Sequence, residues 1–340
     1  MRPSTSLIVV AHNHARFLQR CLDSISTQTL PPDEVILCDD ASTDESPRQL
    51  AGFAAANKGA IETKLLLGEK NEGLAAVLNR AFASATGEWW TILSGDDFAF
   101  DHRLERTVAE ARNFPDCRLV CSNAQVVDAA GMARHPYFSH DQGSSYTAES
   151  LGSSLVGVLG ATASVHRDVW SVFGDIPRSI YQEDLVLPFR AALIGTVRYI
   201  GEELVGYRYH GGNLHFDGFD PSALARHFAR PGWAVRRAMS LADVARCRLA
   251  DLERAVAMGR IDAGRAEVLR KLCRQTLQDA EVECSAARVK RWRVPAVAAR
   301  AWIGGTAFRR CLRILTFYGL PRFYAVLAAG WARLSRLRRR

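Results

Sequence analysis

Five short apolar runs, each bounded by polar or small residues, mark the first 220 positions: SLIVVA (6–11), EVILCD (34–39), TKLLLG (63–68), WWTILS (89–94) and RLVCSNAQVV (118–127). Runs of this length, rich in Val, Ile and Leu, predict buried strands. Between them the period changes. ARFLQRCLDSISTQ puts Phe17, Leu18, Cys21, Leu22 and Ile25 on one helical face, and LAAVLNRAFASA is composed of helix formers. Strand alternating with helix predicts a mostly parallel α/β sheet, whose ligands bind beyond the carboxyl ends of the strands. After Asp220 the strands stop. Ala, Arg and Leu recur at helical spacing in RRAMSLADVARCRLADLERAVAMGRIDAGRAEVLRKLCRQTLQDAEVECSAARVKR, which predicts a helical hairpin turning near Gly259. Two domains follow: an α/β domain over 1–220 and a helical extension over 221–340.

Composition sharpens this division. With 48% hydrophobic and 24% charged residues, the 340-residue chain is of the globular class. Its net charge of +8 conceals an asymmetry: residues 1–220 carry 18 Lys+Arg against 28 Asp+Glu, and residues 221–340 carry 26 against 8. From residue 284 onward there are 14 basic residues and no acidic one, so a negative partner is expected. The eight cysteines form no CxxC pair, which suits reduced thiols in the cytoplasm. The start, MRPSTSLIVVAHNHARFL, has only Leu7 to Val10 as an apolar core, too short for a signal peptide. Pro321 and Arg322 interrupt the most apolar late stretch, which falls short of the ~20 residues of a spanning helix. Trp292, Trp302, Trp331, Phe308, Phe317, Phe323 and Tyr324 alternate with Arg in the tail, a pattern of interfacial helices on an anionic membrane surface. Packing of that aromatic face on the α/β domain or on a second subunit, giving a homo-oligomer, is an equal reading. Nucleic acid ranks last as a partner, since only the terminal RLRRR suggests it and no nucleic-acid module is present.

The chemistry-bearing residues fall after the predicted strands. LCDDASTDES places Asp39 and Asp40 at the second strand's end, with Ser42, Asp44 or Ser46 available to cap the next helix. SGDD places Asp96 and Asp97 at the fourth strand's end. Four carboxylates in one crevice repel one another unless a cation or a polyol ligand is present. A hard ion such as Mg²⁺ or Mn²⁺, held by one or two carboxylates and diphosphate oxygens, resolves that repulsion. In QEDLVLPFR, Glu183 and Asp184 suit either the positive end of a helix or the work of a general base. In YRYHGGN, the planar fork of Arg208 suits phosphate oxygens, while His210, like His140, His166, His215 and His227, taken alone reads as a packed or surface histidine. Asn71 in NEG reads first as a helix cap and second as a ligand contact. AHNHARF follows the first strand where a dinucleotide oxidoreductase would have GxGxxG.

Three blocks in order, from SLIVVAHNHARF to CDDASTDES, then NEGLAAVLNRAFASATGEWWTILSGDD, then YQEDLVLPFRAALIGTVRYIGEELVGYRYHGGN, resemble the family 2 glycosyltransferases over roughly the first 215 residues. The resemblance implies a GT-A fold, a Rossmann-like mixed sheet flanked by helices, here with a helical basic extension. It implies a nucleoside-diphosphate sugar donor, UDP-linked by preference, a divalent cation (Mn or Mg), and transfer with inversion to a hydroxyl of a glycan or lipid-linked glycan precursor in cell-surface polysaccharide synthesis. Carried over by position, Asp40 is the base-binding acid with Asp39 beside it, and Asn13 and Asn71 belong to the donor site. Asp96 holds the ribose and Asp97 the metal, His210 closes on metal or diphosphate, and Arg208 is an alternative anion contact. Asp184 is the base, with Glu183 as fallback. Ser94 stands where many members have the motif's first acid, and Val10 and His12 replace a usual Pro and Tyr. The Ser94 departure leaves a rival reading, a non-catalytic sugar-nucleotide-binding or scaffold protein that kept the fold. The expected location is the cytoplasm, peripheral on the inner face of the cell membrane.

Overall fold

In the computed structural model, the described residues are 2–138, 146–155, 157–210, 232–290, 293–303, 314 and 318. The predicted strands form as β1 (Thr5–Ala11), β2 (Glu34–Asp39), β3 (Glu62–Leu67), β4 (Trp89–Ser94) and β6 (Cys117–Val127). Four more join them: β5 (Phe98–Ala99), β7 (Ala133–Pro136), β8 (Ser164–His166) and β9 (Thr196–Arg208). The helices of this part are α1 (Ala15–Ser26), α2 (Ser46–Ala56), α3 (Leu74–Ser84), α4 (Arg103–Asn113), α5 (Ala148–Gly152), α6 (Asp168–Phe173) and α7 (Glu183–Ile194). Then come α8 (Trp233–Ala257), α9 (Ala263–Arg288) and α10 (Val294–Ile303), with the predicted turn between α8 and α9 at Gly259.

The nine strands form one sheet in the order β3-β2-β1-β4-β8-β6-β9-β5, with β7 paired to β6. Around β1 the sheet is parallel, as expected. Beyond β4 it is mixed: β8 runs antiparallel to both β4 and β6, while β6 and β9 are parallel to each other. The mixed sheet that the resemblance implied is the one that forms; the apolar runs alone suggested more parallel pairing because β8, with only three residues, leaves no run.

β1 and β2 are buried along their whole length, which is why they read as unbroken apolar runs rather than alternating ones. Leu7, Val9, Val35, Leu37 and Leu93 face Leu18, Cys21, Leu22 and Ile25 of α1 in one cluster. Full burial of each Leu, Ile or Val side chain contributes roughly 1.5–3 kcal/mol, so this face alone fixes α1 against the sheet.

The chain divides into two compact units, one of residues 1–209 with 247–273 and one of residues 210–246 with 274–340. Part of the helical extension therefore belongs with the α/β sheet, beyond the boundary at 220. Buried Arg190 of α7 pairs with Asp251 of α8 at 2.8 Å, and Arg254 donates to the Phe173 carbonyl at 2.8 Å. In the second unit Trp233, Ala286, Val294, Ala298, Ile314 and Tyr318 make a small core. Among the described residues no helix is long and apolar enough to cross a membrane.

Candidate active site

Parallel register sets the site. Ala11 is level with Asp39, Asp39 with Leu67, and Val10 with Ser94, so the loops after β1, β2, β3 and β4 open at one edge of the sheet. Three of these loops are stitched together by the polar residues of the motifs. Asn13, held at a positive φ of 56°, donates its amide to the Ser42 hydroxyl at 2.8 Å and accepts from the Thr43 amide at 2.8 Å. Asp39 is buried and accepts from the Ser42 amide and hydroxyl. Asp40, also buried, accepts from the Glu72 and Gly73 amides at 2.8 and 2.9 Å, joining the end of β2 to the loop before α3. A carboxylate offers about four lone-pair sites, so both keep acceptor capacity beyond these bonds. Ala41, between them and Ser42, has φ of 55°, a conformation that costs a residue with a Cβ roughly 1–2 kcal/mol.

Two cap expectations change. Asn71 is not the cap of α3; Gly73 is, at φ of 87°, and the Asn71 side chain lies 3.1 Å from Nε2 of His12. Asp44 serves two helices at once, accepting from the Ser46 amide of α2 and the Ala15 amide of α1, both at 2.9 Å. Burial works against its charge, but these bonds hold the carboxyl below its ordinary value.

After β4, Ser94 donates its hydroxyl to Asp96, so the residue standing in place of an acid orients the next one. Asp97 is 1% exposed and accepts from the Arg208 amide at 2.7 Å. Burial first, and then the charge of Asp96, push its carboxyl well above the usual range, against the positive charges of Arg208 and Arg103. Neither arginine was seen in this role from sequence. The Arg208 guanidinium is buried and bonds the carbonyls of Asp96 (2.8 Å) and Ala129 (3.0 Å). Arg103, also 1% exposed, bonds the Ile92 carbonyl at 2.7 Å. The repulsion between Asp96 and Asp97 is thus partly met from inside the protein. His14, which sequence reasoning passed over, places Nε2 3.9 Å from Asp96. His210 lies two residues past β9 and is half-buried.

Glu183 and Asp184 form the first turn of α7, Glu183 the more buried of the two. Burial raises both carboxyls, and for Glu183 the charge of Asp184 adds to it. Pro188 has no N–H for the carbonyl four residues back, that of Asp184. The Val158 amide takes that carbonyl instead, at 3.2 Å. So close an approach needs glycine: a Cβ at Gly157 would lie 1.9 Å from the Asp184 carbonyl oxygen, and one at Gly160 2.4 Å from Glu183 Oε1. The same segment continues to Ala163, whose carbonyl accepts from Ile92 of β4 at 3.0 Å. Segment 157–163 therefore ties the Glu183–Asp184 turn to the strand that leads into Asp96 and Asp97.

Among the described residues no three His, Cys, Asp or Glu side chains converge as a complete metal cage. The adjacent oxygen donors Asp96 and Asp97 fit a hard divalent ion that takes its remaining ligands from a diphosphate.

The family model described as glycosyl transferase family 2 matches residues 6–169. The chain is 36% identical over 130 residues to the putative glycosyltransferase EpsE of Bacillus subtilis, covering 38% of this chain and 46% of that protein. It spans about half to two thirds of the length of the curated relatives it matches. TarS of S. aureus, solved in complex with UDP, superposes with a TM-score of 0.56 at 15% identity, covering 96% of this chain and 88% of that one. The mannosyltransferase PcManGT of Pyrobaculum calidifontis, solved with GDP-Man and Mn²⁺, gives 0.53 at 21% identity over 98% and 88%. With its motif loops gathered at one edge of such a sheet, the chain is similar over residues 6–169 to glycosyltransferase family 2 and is built on the GT-A fold.

Proposed function

We propose that this protein transfers a sugar from a nucleoside-diphosphate donor, first of all a UDP-sugar, to a hydroxyl of a glycan or lipid-linked glycan precursor, with inversion at the anomeric carbon. The observation that carries the reading is the parallel register that opens the Asn13, Asp40, Asn71 and Asp96 loops at one edge, with the Glu183–Asp184 turn tied to the same strand. Asp40 and Asn13 take the base, Asp96 the ribose. Asp97 would hold a divalent cation, with His210 as a further contact, and the bound ion would neutralise charge developing on the departing diphosphate.

Asp184 removes the acceptor hydroxyl proton as that oxygen attacks the anomeric carbon and the bond to the diphosphate breaks. Its raised proton affinity suits a base working near neutrality. Asp184 is favoured over Glu183 because it is the less buried residue of the pair.

The test combines binding and turnover. UDP and GDP, each with and without Mn²⁺, are expected to raise the melting temperature in a metal-dependent way, and Asp97→Asn is expected to remove the metal dependence. UDP-GlcNAc, UDP-glucose and GDP-mannose are then assayed for hydrolysis without acceptor. Asp184→Asn is expected to lower turnover by roughly 10²–10⁴-fold while leaving the nucleotide shift intact. Metal-dependent binding with no turnover of any donor, with or without acceptor pools, would return the non-catalytic reading.

A further inference from the structure

The helical extension contributes one residue to this site that no motif contains. Arg248 of α8 is 1% exposed, one of the largest side chains in the molecule to be so completely enclosed. Lys and Arg are almost never fully buried without strong compensation. Here the compensation is a set of carbonyl oxygens: Nε and a terminal nitrogen donate to Leu185 at 3.0 and 2.6 Å, and the other terminal nitrogen donates to Ser154 at 2.6 Å and to Leu151. Leu185 directly follows Asp184 in the first turn of α7, whereas Leu151 and Ser154 belong to α5 and the residues just after it. The rigid fork of the guanidinium thus pins that turn to a neighbouring element, as a lysine with its rotatable point charge does not.

We propose that Arg248 is a positioning residue for Asp184, fixing the first turn of α7 from the helical extension and supplying the buried positive charge that faces its carboxylate. The inference rests on the reading of Asp184 as the base. Among the described residues, the charged groups near Asp184 are Glu183 on its own turn and Arg248 from α8, and the backbone of Gly157 and Val158 packs against its carbonyl. Around Arg248 stand Cys247 and Asp251 on α8 and Cys273 on α9. Asp251 is committed to Arg190. The Arg248 charge acts on Asp184 against burial, drawing its carboxyl back towards the ionised form. The same helix meets α7 at two separate points, Arg248 on its first turn and Asp251 on Arg190 further along, away from the base.

The test uses the full chain with Arg248→Met, Arg248→Lys and, as a structural control, Asp251→Asn. The carboxyl titration of Asp184 is followed by NMR, assigned from the signal missing in Asp184→Asn, and kcat and KM are measured against pH for whichever of UDP-GlcNAc, UDP-glucose or GDP-mannose the wild type turns over. Arg248→Met is expected to move the titration upward by about one pH unit, to move the acid limb of kcat with it, and to leave KM for the donor within twofold. Arg248→Lys, which keeps the charge and loses the fork, is expected to hold the limb near its wild-type place while kcat falls about tenfold or more. Asp251→Asn is expected to lower the melting temperature without moving the limb. A folded Arg248→Met with a wild-type titration overturns the proposal, as does a folded Arg248→Lys with wild-type kcat. Failure of both to fold overturns it too, because the guanidinium would then hold the domain and not the base in particular. If the NMR titration moves as expected while Asp184→Asn turns over normally, the base assignment fails and the electrostatic link stands.

Discussion

Glu34 stands at the start of β2, away from the motif edge, and shows how one buried carboxylate is kept ionised in this fold. It is 1% exposed and accepts from the Ser6 hydroxyl, the Thr86 and Gly87 amides and the Lys64 ammonium, the last at 2.7 Å. Burial alone would raise its pKa, but these donors bring it down from 4.5 to about 2. A carboxyl depressed in the folded state stabilises the protein above its unfolded value, and that stability is lost as pH falls towards the folded one. The contribution is about 3 kcal/mol at neutral pH and drains away between pH 4.5 and 2. Urea unfolding of wild type and Glu34→Gln should show a difference of that order at pH 7 that shrinks steadily below pH 4.5; a difference independent of pH would contradict it. Residue identity made Asp39, Asp40, Asp96 and Asp97 legible as candidates, because acids after apolar runs stand out. What it did not show is how they are held: Ser42, the Gly73 amide, Ser94 and Arg208 each occupy part of a carboxylate. Arg103 and Arg248 were illegible for the same reason, and Arg208 was legible only as an anion contact. A charge in a sequence reads as a solvated face, and only the fold shows three arginines enclosed against carbonyls.

Among elements, β1, β2 and β4 were readable because both of their faces are covered or nearly so, and their ends lie where the runs end, while β3, at the sheet edge and only partly buried, showed through its Leu run. β9 was not, since GEE interrupts its middle, and β8 is too short to leave a pattern. The segment before α7 depends on two glycines whose tolerance differs. At Gly157 the obstacle is backbone: a methyl there would sit 1.9 Å from the Asp184 carbonyl oxygen, and relief requires the Val158–Asp184 hydrogen bond to open. At Gly160 the obstacle is the end of the Glu183 side chain, which can swing aside. Gly157→Ala is therefore expected to cost about 2–4 kcal/mol and to abolish turnover, and Gly160→Ala to cost about 1 kcal/mol while retaining measurable turnover. Equilibrium unfolding and a donor-hydrolysis assay on both variants check the order; equal effects would mean that the segment does not place the turn.

At the scale of the whole molecule the charge asymmetry and the two units have to be taken together. The acidic excess lies in the first 220 residues, whereas residues 284–340 hold 14 basic residues and no acid. A membrane role for that region rests on its sequence, with Arg333, Arg336, Arg338, Arg339 and Arg340 clustered at the end. Cutting the chain near Glu283 is a poor test of it, because Ala286, Val294, Ala298, Ile314 and Tyr318 build the core that covers Trp233 in the second unit. Neutralising charge in the intact chain leaves that core alone. Each Lys or Arg near an anionic surface contributes about 1 kcal/mol, so changing Arg336, Arg338, Arg339 and Arg340 together to Gln should weaken binding by roughly 10²–10³-fold at low salt. Co-sedimentation with vesicles of phosphatidylcholine and phosphatidylglycerol, compared with pure phosphatidylcholine, provides the measurement. Wild type is expected to sediment only with the anionic vesicles and to be released as salt shortens the screening length, and the four-residue variant to remain in the supernatant at an unchanged melting temperature. Equal sedimentation of both proteins would leave the basic tail without a membrane role and direct attention to protein partners.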